Sequence, residues 1–293
     1  GKRYRKTFGT TDPEPDNLGD DAFPDAELAP LYPSGVLGLK DRGTHFFETM
    51  QNQILLHPYI YAHWGMLPIF CARMGMADEF LEASHRAIEA FQHFPCGFNV
   101  ENDGEFPAVG KFLNVYNTLT DDRSKLRQDA FIHFDFETVP VIMQGLTDAL
   151  LQSHEGCVRI CPAIRAEDSV SYSLFAEGGF SVFAEVTADS CVVAVTSQRG
   201  NPLYLDLPPY LDRDALYAYR AEQDADFVPC DWKIVERGQD RLLDFSDLRA
   251  GETVLMTAVT LDELELTAGK ISAPNGNMKQ HGTAYLGLPR LLQ

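Results

Sequence analysis

The chain has 293 residues, enough for one large domain or two ordinary ones, and 45% of them are hydrophobic, as in a globular protein. Its formal net charge of -19 repels phosphate groups, which argues against nucleic acids and anionic membrane surfaces as partners. The mean hydropathy of -0.18 and the lack of a long apolar run argue against a transmembrane helix. The composition therefore favours a protein that handles neutral or cationic ligands.

The cysteine pattern indicates neither a disulfide framework nor a metal site. Two of the six cysteines, Cys157 and Cys161, lie in the strand-like run Cys-Val-Arg-Ile-Cys. Four residues of extended chain span roughly 13 Å, whereas a disulfide needs Cα atoms about 4.4–6.8 Å apart. The sequence has no zinc-ligand spacing and no glycine-rich nucleotide loop, so we expect no metal and no cofactor. Reduced cysteines favour a reducing compartment such as the cytoplasm.

The first half of the chain is predicted to be helical. Residues 1–30 are rich in proline, glycine and aspartate and are predicted to form an extended or loop segment. Apolar residues then recur at helical spacing in four segments that are bounded by capping residues, glycine or proline. These predicted helices cover 44–56, 66–74, 78–94 and 138–153. The short turn at Gly75 predicts that the second and third helices form an αα-hairpin.

After residue 155 the pattern changes to short runs of β-branched and aromatic residues. Residues 180–186 alternate between apolar and more polar side chains, and 191–195 and 252–256 are further strand-like runs. The chain is therefore predicted to be an α+β multidomain protein. Its helical part would cover 31–154, and an antiparallel β-sandwich domain would cover 155–293.

The segment Phe131-Ile-His-Phe-Asp-Phe-Glu137 places two carboxylates and a histidine among aromatic residues, just before a predicted helix. Ionisable groups are costly to bury unless they are paired or used, so such places often carry chemistry. We therefore take Glu137 as the catalytic candidate, with Asp135 and His133 as substrate-binding candidates. The alternative is that Glu137 is a helix cap and Asp135 an ordinary surface acid.

The pair His63-Trp64 precedes the second predicted helix and is a further candidate for substrate binding. The face of a tryptophan commonly stacks on the apolar face of a ligand, and the flanking Tyr59 and Tyr61 are also amphipathic. The alternative is a core tryptophan whose N–H is satisfied within the fold.

Several short motifs occur in the same order as in a known enzyme family. The run Leu150-Leu-Gln-Ser-His-Glu-Gly156 is followed by Val158-Arg-Ile-Cys-Pro-Ala163 and then by Leu174-Phe-Ala-Glu-Gly-Gly-Phe180. Upstream lies Ala72-Arg-Met-Gly-Met-Ala-Asp-Glu79. These motifs, within residues 28–200, resemble those of glycoside hydrolase family 95, which contains α-L-fucosidases and α-L-galactosidases.

This resemblance implies a fold and a mechanism. The family fold is an (α/α)6 barrel followed by a β domain, so this chain would hold the last barrel helices and the β-sandwich. Glu137 lies fifteen residues before Gln152, at the place of the family's general-base aspartate. The implied activity is inverting hydrolysis of an α-L-fucosyl-type or related glycoside, with an oligosaccharide as substrate. The general acid would lie upstream of residue 1, so the fragment alone is expected to be inactive or weak.

A non-catalytic alternative remains open at this point. The family's Gly-Asn-Phe-Gly after the base is replaced here by Thr138-Val-Pro-Val141, and the acid motif has no match in the chain. The second hypothesis is therefore a carbohydrate-binding or structural relic of such an enzyme. Under either hypothesis an incomplete barrel would expose apolar helix faces.

Overall fold

The computed structural model describes eight segments of the chain, which are residues 28–56, 65–91, 99–102, 132–188, 190–222, 225–264, 279–281 and 284–286. Helices dominate the first half of these residues and strands the second half. The chain is therefore a mixed α+β protein, as the sequence predicts.

The described residues contain four α-helices. They are α1 (His45–Leu56), α2 (Leu67–Arg73), α3 (Ala77–Phe91) and α4 (Thr138–Leu150). Helix α1 begins after Thr44, whose hydroxyl accepts a hydrogen bond from the N–H of Phe47 at 3.2 Å. Helix α2 ends where Gly75 adopts a φ of 69°, and the N–H groups of Gly75 and Met76 close the last turn. Helices α2 and α3 pack against each other across this short turn, which confirms the predicted αα-hairpin.

Helix α2 lies at the centre of the helical core. Six of its seven residues are buried, and only Arg73 reaches the boundary with solvent. Helix α4 approaches it closely at Gly145, where an added Cβ would lie 3.2 Å from Pro68 and from Phe80. Glycine at this position therefore lets the helices pack without a gap, although it lowers helix propensity.

Helix α4 ends three residues earlier than the predicted helix 138–153. Leu151 and Gln152 leave the helix and form a short strand that pairs with Ile160 and Arg159. The N–H of Cys161 also donates to the carbonyl of Leu150 at 2.8 Å. This tertiary pairing outweighs the local helical pattern, because the strand supplies partners for backbone groups that the helix end would leave unpaired.

The described strands form two two-stranded sheets and two larger sheets. The strands are β1 (Asn99–Asn102), β2 (Ile132–Asp135), β3 (Leu151–Gln152), β4 (Val158–Ile160), β5 (Val170–Ala176), β6 (Phe180–Val186), β7 (Cys191–Ser197), β8 (Leu203–Asp206), β9 (Tyr217–Ala221), β10 (Val228–Pro229), β11 (Lys233–Arg237), β12 (Asp240–Phe245), β13 (Thr253–Thr257), β14 (Lys279–His281) and β15 (Ala284–Leu286). The six-stranded sheet has the order β10-β9-β13-β7-β6-β5, and the five-stranded sheet has the order β11-β12-β8-β4-β3. Strands β1 and β2 pair with each other, as do β14 and β15.

The two larger sheets share one hydrophobic core, which is the arrangement of a β-sandwich. Alternate residues of β6 and β7 are buried in it, and so are Leu203, Leu205 and Phe245 from the five-stranded sheet. The prediction of antiparallel pairing holds for the described strands except one pair, because β4 and β8 run parallel. Among the described helices, none has the length and apolar character needed to cross a membrane.

Candidate functional site

Glu137 lies at the N-terminal end of α4, two residues after the end of β2. Its side chain is exposed and forms no capping hydrogen bond to the first turn of the helix. Phe136 beside it is 46% exposed, so this aromatic neighbour does not enclose the carboxylate. Thr138, the next residue, is almost fully buried. The carboxylate of Glu137 thus occupies the positive end of a helix dipole at the protein surface.

The structure describes only some of the other predicted site residues, and for these it gives the backbone. His133 and Asp135 belong to β2, where their Cα partners are Glu101 and Asn99. Both residues thus lie on the strand that leads into α4, within four residues of Glu137 along the chain. The predicted substrate-binding pair, His63 and Trp64, lies outside the described residues.

A cleft of about 270 Å³ lies among α1, α2 and α3 of the described helices. Its floor is apolar and includes Ile54, Leu67 and Cys71, and its rim carries Glu82 and Arg86. These two rim residues form an ion pair with a 2.7 Å contact. Glu137 is not among the residues that line this cleft.

The motif Leu150-Leu-Gln-Ser-His-Glu-Gly156 forms a junction between the helices and the sandwich. The buried amide of Gln152 donates to the carbonyls of Ala72 and Asp148, both at 2.9 Å. Its backbone pairs with β4 at the same time. Gln152 therefore ties α2 and α4 to the five-stranded sheet, which is a structural use of this motif residue.

Arg73 and His154 occupy the helical side of this junction. Arg73 donates from Nε to Asp148 at 2.8 Å and from a terminal nitrogen to the carbonyl of Leu31 at 3.1 Å. Its guanidinium also lies 4.9 Å from the ring centre of Tyr32. Burial and the nearby Arg73 lower the pKa of His154 below its ordinary value. The neutral imidazole is therefore favoured in the folded protein.

On the sheet side, Arg159 of β4 is enclosed by three carboxylates, Glu155, Asp206 and Asp240, and we call these four residues the Arg159 cluster. Its guanidinium donates to Glu155 at 2.9 and 3.1 Å, to Asp206 at 2.7 Å and to Asp240 at 2.6 Å. The side chains of Arg159, Glu155 and Asp240 are 2%, 1% and 3% exposed. Buried charges of this kind are tolerated because each one is paired and hydrogen-bonded.

The Arg159 cluster also holds the segment that precedes α1. The backbone N–H of Lys40 donates to Glu155 at 3.1 Å, and Arg42 lies 3.8 Å from Asp240. A Cβ added to Gly38 would lie 2.2 Å from a carboxylate oxygen of Glu155, so no larger residue fits there without movement. The cluster therefore joins the N-terminal segment to the sandwich.

Sequence reasoning missed this cluster. The one available signal was the alternation of β4, since Val158 and Ile160 are apolar and Arg159 between them must face the other way. That pattern indicates a charged residue on the outer side of a strand, but it does not identify the distant acids. Among the described residues, no group of three or more His, Cys, Asp or Glu side chains is suited to hold a metal ion.

Comparison with known proteins adds no family assignment. No protein-family model matches the chain, and no curated protein matches it. The resemblance to glycoside hydrolase family 95 therefore depends on the short motifs alone.

Proposed function

We propose that this chain is the C-terminal part of a glycoside hydrolase, made of the last helices of an (α/α)6 barrel and the β-sandwich that follows. Helices come first in the described chain and the sandwich second, which is the order that the resemblance implies. Apolar side chains also remain exposed on α1 and α4, as expected where further helices would pack. They are Phe46, Leu55, Leu56, Met143 and Leu146.

The catalytic part of the proposal rests on the position of Glu137 at the start of α4, fifteen residues before Gln152, which is where the resemblance puts the general base. In an inverting mechanism, Glu137 would take a proton from the water that attacks the anomeric carbon. A separate acid, upstream of residue 1 in this proposal, would protonate the departing oxygen. His133, Asp135, His63 and Trp64 are proposed to bind the sugar.

The experiment uses a glycosyl fluoride, because fluoride leaves without protonation and the reaction then needs the base but not the acid. The chain is incubated with α-L-fucosyl fluoride and α-L-galactosyl fluoride, and fluoride release is followed with an ion-selective electrode. We expect Glu137→Gln to lower the enzymatic rate roughly 10²-fold or more, as for loss of a general base. The matched control is Glu48→Gln, which changes a glutamate in the first turn of α1. Equal rates for wild type and Glu137→Gln would reject the role of Glu137.

The second candidate function is a non-catalytic relic of such an enzyme. It is favoured by the departure at residues 138–141, which form the first turn of α4 with Thr138 buried. It is also favoured by the helical cleft, which Glu137 does not line. Absence of fluoride release from both sugars, with the chain shown to be folded by circular dichroism, would support the relic.

A further inference from the structure

The outward face of the six-stranded sheet carries a row of neutral side chains at one end. The strand register places Phe175, Ser181, Thr196, Thr253 and Ala221 side by side across β5, β6, β7, β13 and β9. Residues directly opposite each other in an antiparallel sheet project from the same face. The row therefore forms a strip on one face of the sheet, exposed at Phe175, partly exposed from Ser181 to Thr253 and buried at Ala221.

This strip faces away from the core. Val182, Val195 and Val254, which precede or follow members of the row by one residue, are fully buried in the sandwich core. Because side chains alternate along a strand, the row projects to the opposite side. The hydroxyl oxygens of Thr196 and Thr253 lie 2.8 Å apart, so a hydrogen bond between them orients both groups.

A shallow groove of about 770 Å³ runs along the same end of the sheet. Thr196, Thr253 and Ala221 of the row line it, together with Gln198, Glu222 and Phe227. Its volume lies within the usual range of small-ligand sites. The Gln198 amide is exposed and donates to the Ser181 hydroxyl at 2.7 Å, which holds the amide over the row.

Phe175 ends the row at the edge strand β5 and is 83% exposed, the most exposed of the large apolar side chains in the described residues. An exposed ring beside fixed hydroxyl and amide groups offers one apolar face and several hydrogen-bonding groups on one surface. Neutral polyhydroxylated molecules have the same combination, because their C–H faces are apolar and their hydroxyls both donate and accept.

We propose that this strip and groove form a binding site for a neutral saccharide. The ring of Phe175 stacks on one sugar residue of an oligosaccharide, and Gln198, Thr196 and Thr253 hydrogen-bond to the hydroxyls of the next residues, because the row from Phe175 to Thr253 crosses four strands, about 14 Å. Glu222 accepts from a hydroxyl and, with the net charge of -19, disfavours anionic sugars. The inference does not rest on the hydrolytic role of Glu137, because every residue named belongs to the six-stranded sheet or to its loops.

The test is binding of the full chain to a printed array of neutral oligosaccharides, with sulfated and uronate-containing oligosaccharides on the same array. The strongest neutral ligand is then titrated by calorimetry. We expect Phe175→Ala and Gln198→Ala each to weaken its affinity about fivefold or more. The matched control is Tyr217→Ala, which removes a 45% exposed aromatic ring from the other end of the same sheet face and should bind as wild type does.

Retention of no neutral oligosaccharide would overturn the proposal, and so would binding that is confined to the anionic sugars. Unchanged affinity in both Phe175→Ala and Gln198→Ala would overturn it as well. Sedimentation velocity tests whether a second copy of the chain covers the strip instead. A wild-type dimer that Phe175→Ala converts to a monomer would overturn the saccharide proposal and assign the strip to a dimer interface. Loss of neutral-sugar binding in the two variants, with folding verified by circular dichroism, would support the saccharide proposal.

Discussion

Replacing Arg159 with leucine removes the guanidinium that, among the described residues, contacts all three acids of the Arg159 cluster. Each acid keeps another contact after the substitution. Asp206 keeps Arg213 at 3.0 Å, Asp240 keeps Arg42 at 3.8 Å, and Glu155 keeps the N–H of Lys40 at 3.1 Å. The loss is therefore smaller than three separate broken pairs. We expect the free energy of unfolding to fall by about 3–5 kcal/mol, the usual cost of leaving buried charge uncompensated. That corresponds to roughly a 150- to 5,000-fold change in the unfolding equilibrium.

The measurement is urea denaturation followed by circular dichroism, at low salt and at 1 M sodium chloride. Arg159→Leu should remain destabilised at both salt concentrations, because the cluster is shielded from solvent. Arg165→Leu is the control, since Arg165 pairs with the partly exposed Asp168 at 2.8 Å and should contribute little at high salt. Arg159→Lys should fall between wild type and leucine, because one ammonium cannot reach all three acids. A loss for Arg159→Leu no larger than that for Arg165→Leu would refute the reasoning.

Three further predictions concern the packing at Gly38, the protonation of His154 and the solvent access of Cys230. Gly38→Ala should lower the thermal midpoint, at a cost of about 1–3 kcal/mol, because its Cβ would overlap the enclosed carboxylate of Glu155; an unchanged midpoint would contradict this packing. Burial lowers the pKa of His154, so the unfolded chain binds more protons and stability should decrease as pH falls below about 6.5. Denaturation curves at pH 7.5 and 5 should show that the free energy of unfolding falls less between these pH values for His154→Gln than for wild type. An equal fall in both proteins would exclude the imidazole as the cause. In a variant lacking Cys96, native protein should react with Ellman's reagent chiefly at Cys230, which is half-buried, and Cys230→Ser should abolish most of that reaction. Burial raises the pKa of Cys230 as well, so solvent access decides the contrast with the other described cysteines. Those cysteines are buried; they are Cys71, Cys157, Cys161 and Cys191.

The local elements could be predicted because their signals lie within a few residues of each other. Thr44 caps α1 through its own neighbour at Phe47, and Gly75 ends α2 through its own positive φ. The alternation in 180–186 likewise predicts a strand with one buried face, and β6 has that burial pattern. These features need no knowledge of the distant chain.

Local sequence signals predict the candidate site only in part. The sequence identified Glu137 by its aromatic neighbours, and the structure places it exposed at a helix start. Its catalytic role stays a prediction. The sequence did not identify the neutral strip on the six-stranded sheet, because Phe175 and Thr253 become neighbours in one row only through the register of the intervening strands.

By itself, then, the sequence determined that helices precede strands, where the four described helices begin to within one residue, and that the chain is strongly acidic. Only the tertiary structure decided that Leu151 and Gln152 form a strand, that β4 and β8 run parallel, and which acids surround Arg159. Asp206 and Asp240 are 47 and 81 residues away from Arg159 along the chain. Contacts over such separations are fixed by how whole sheets pair and pack, and a local pattern of side chains carries no record of that pairing.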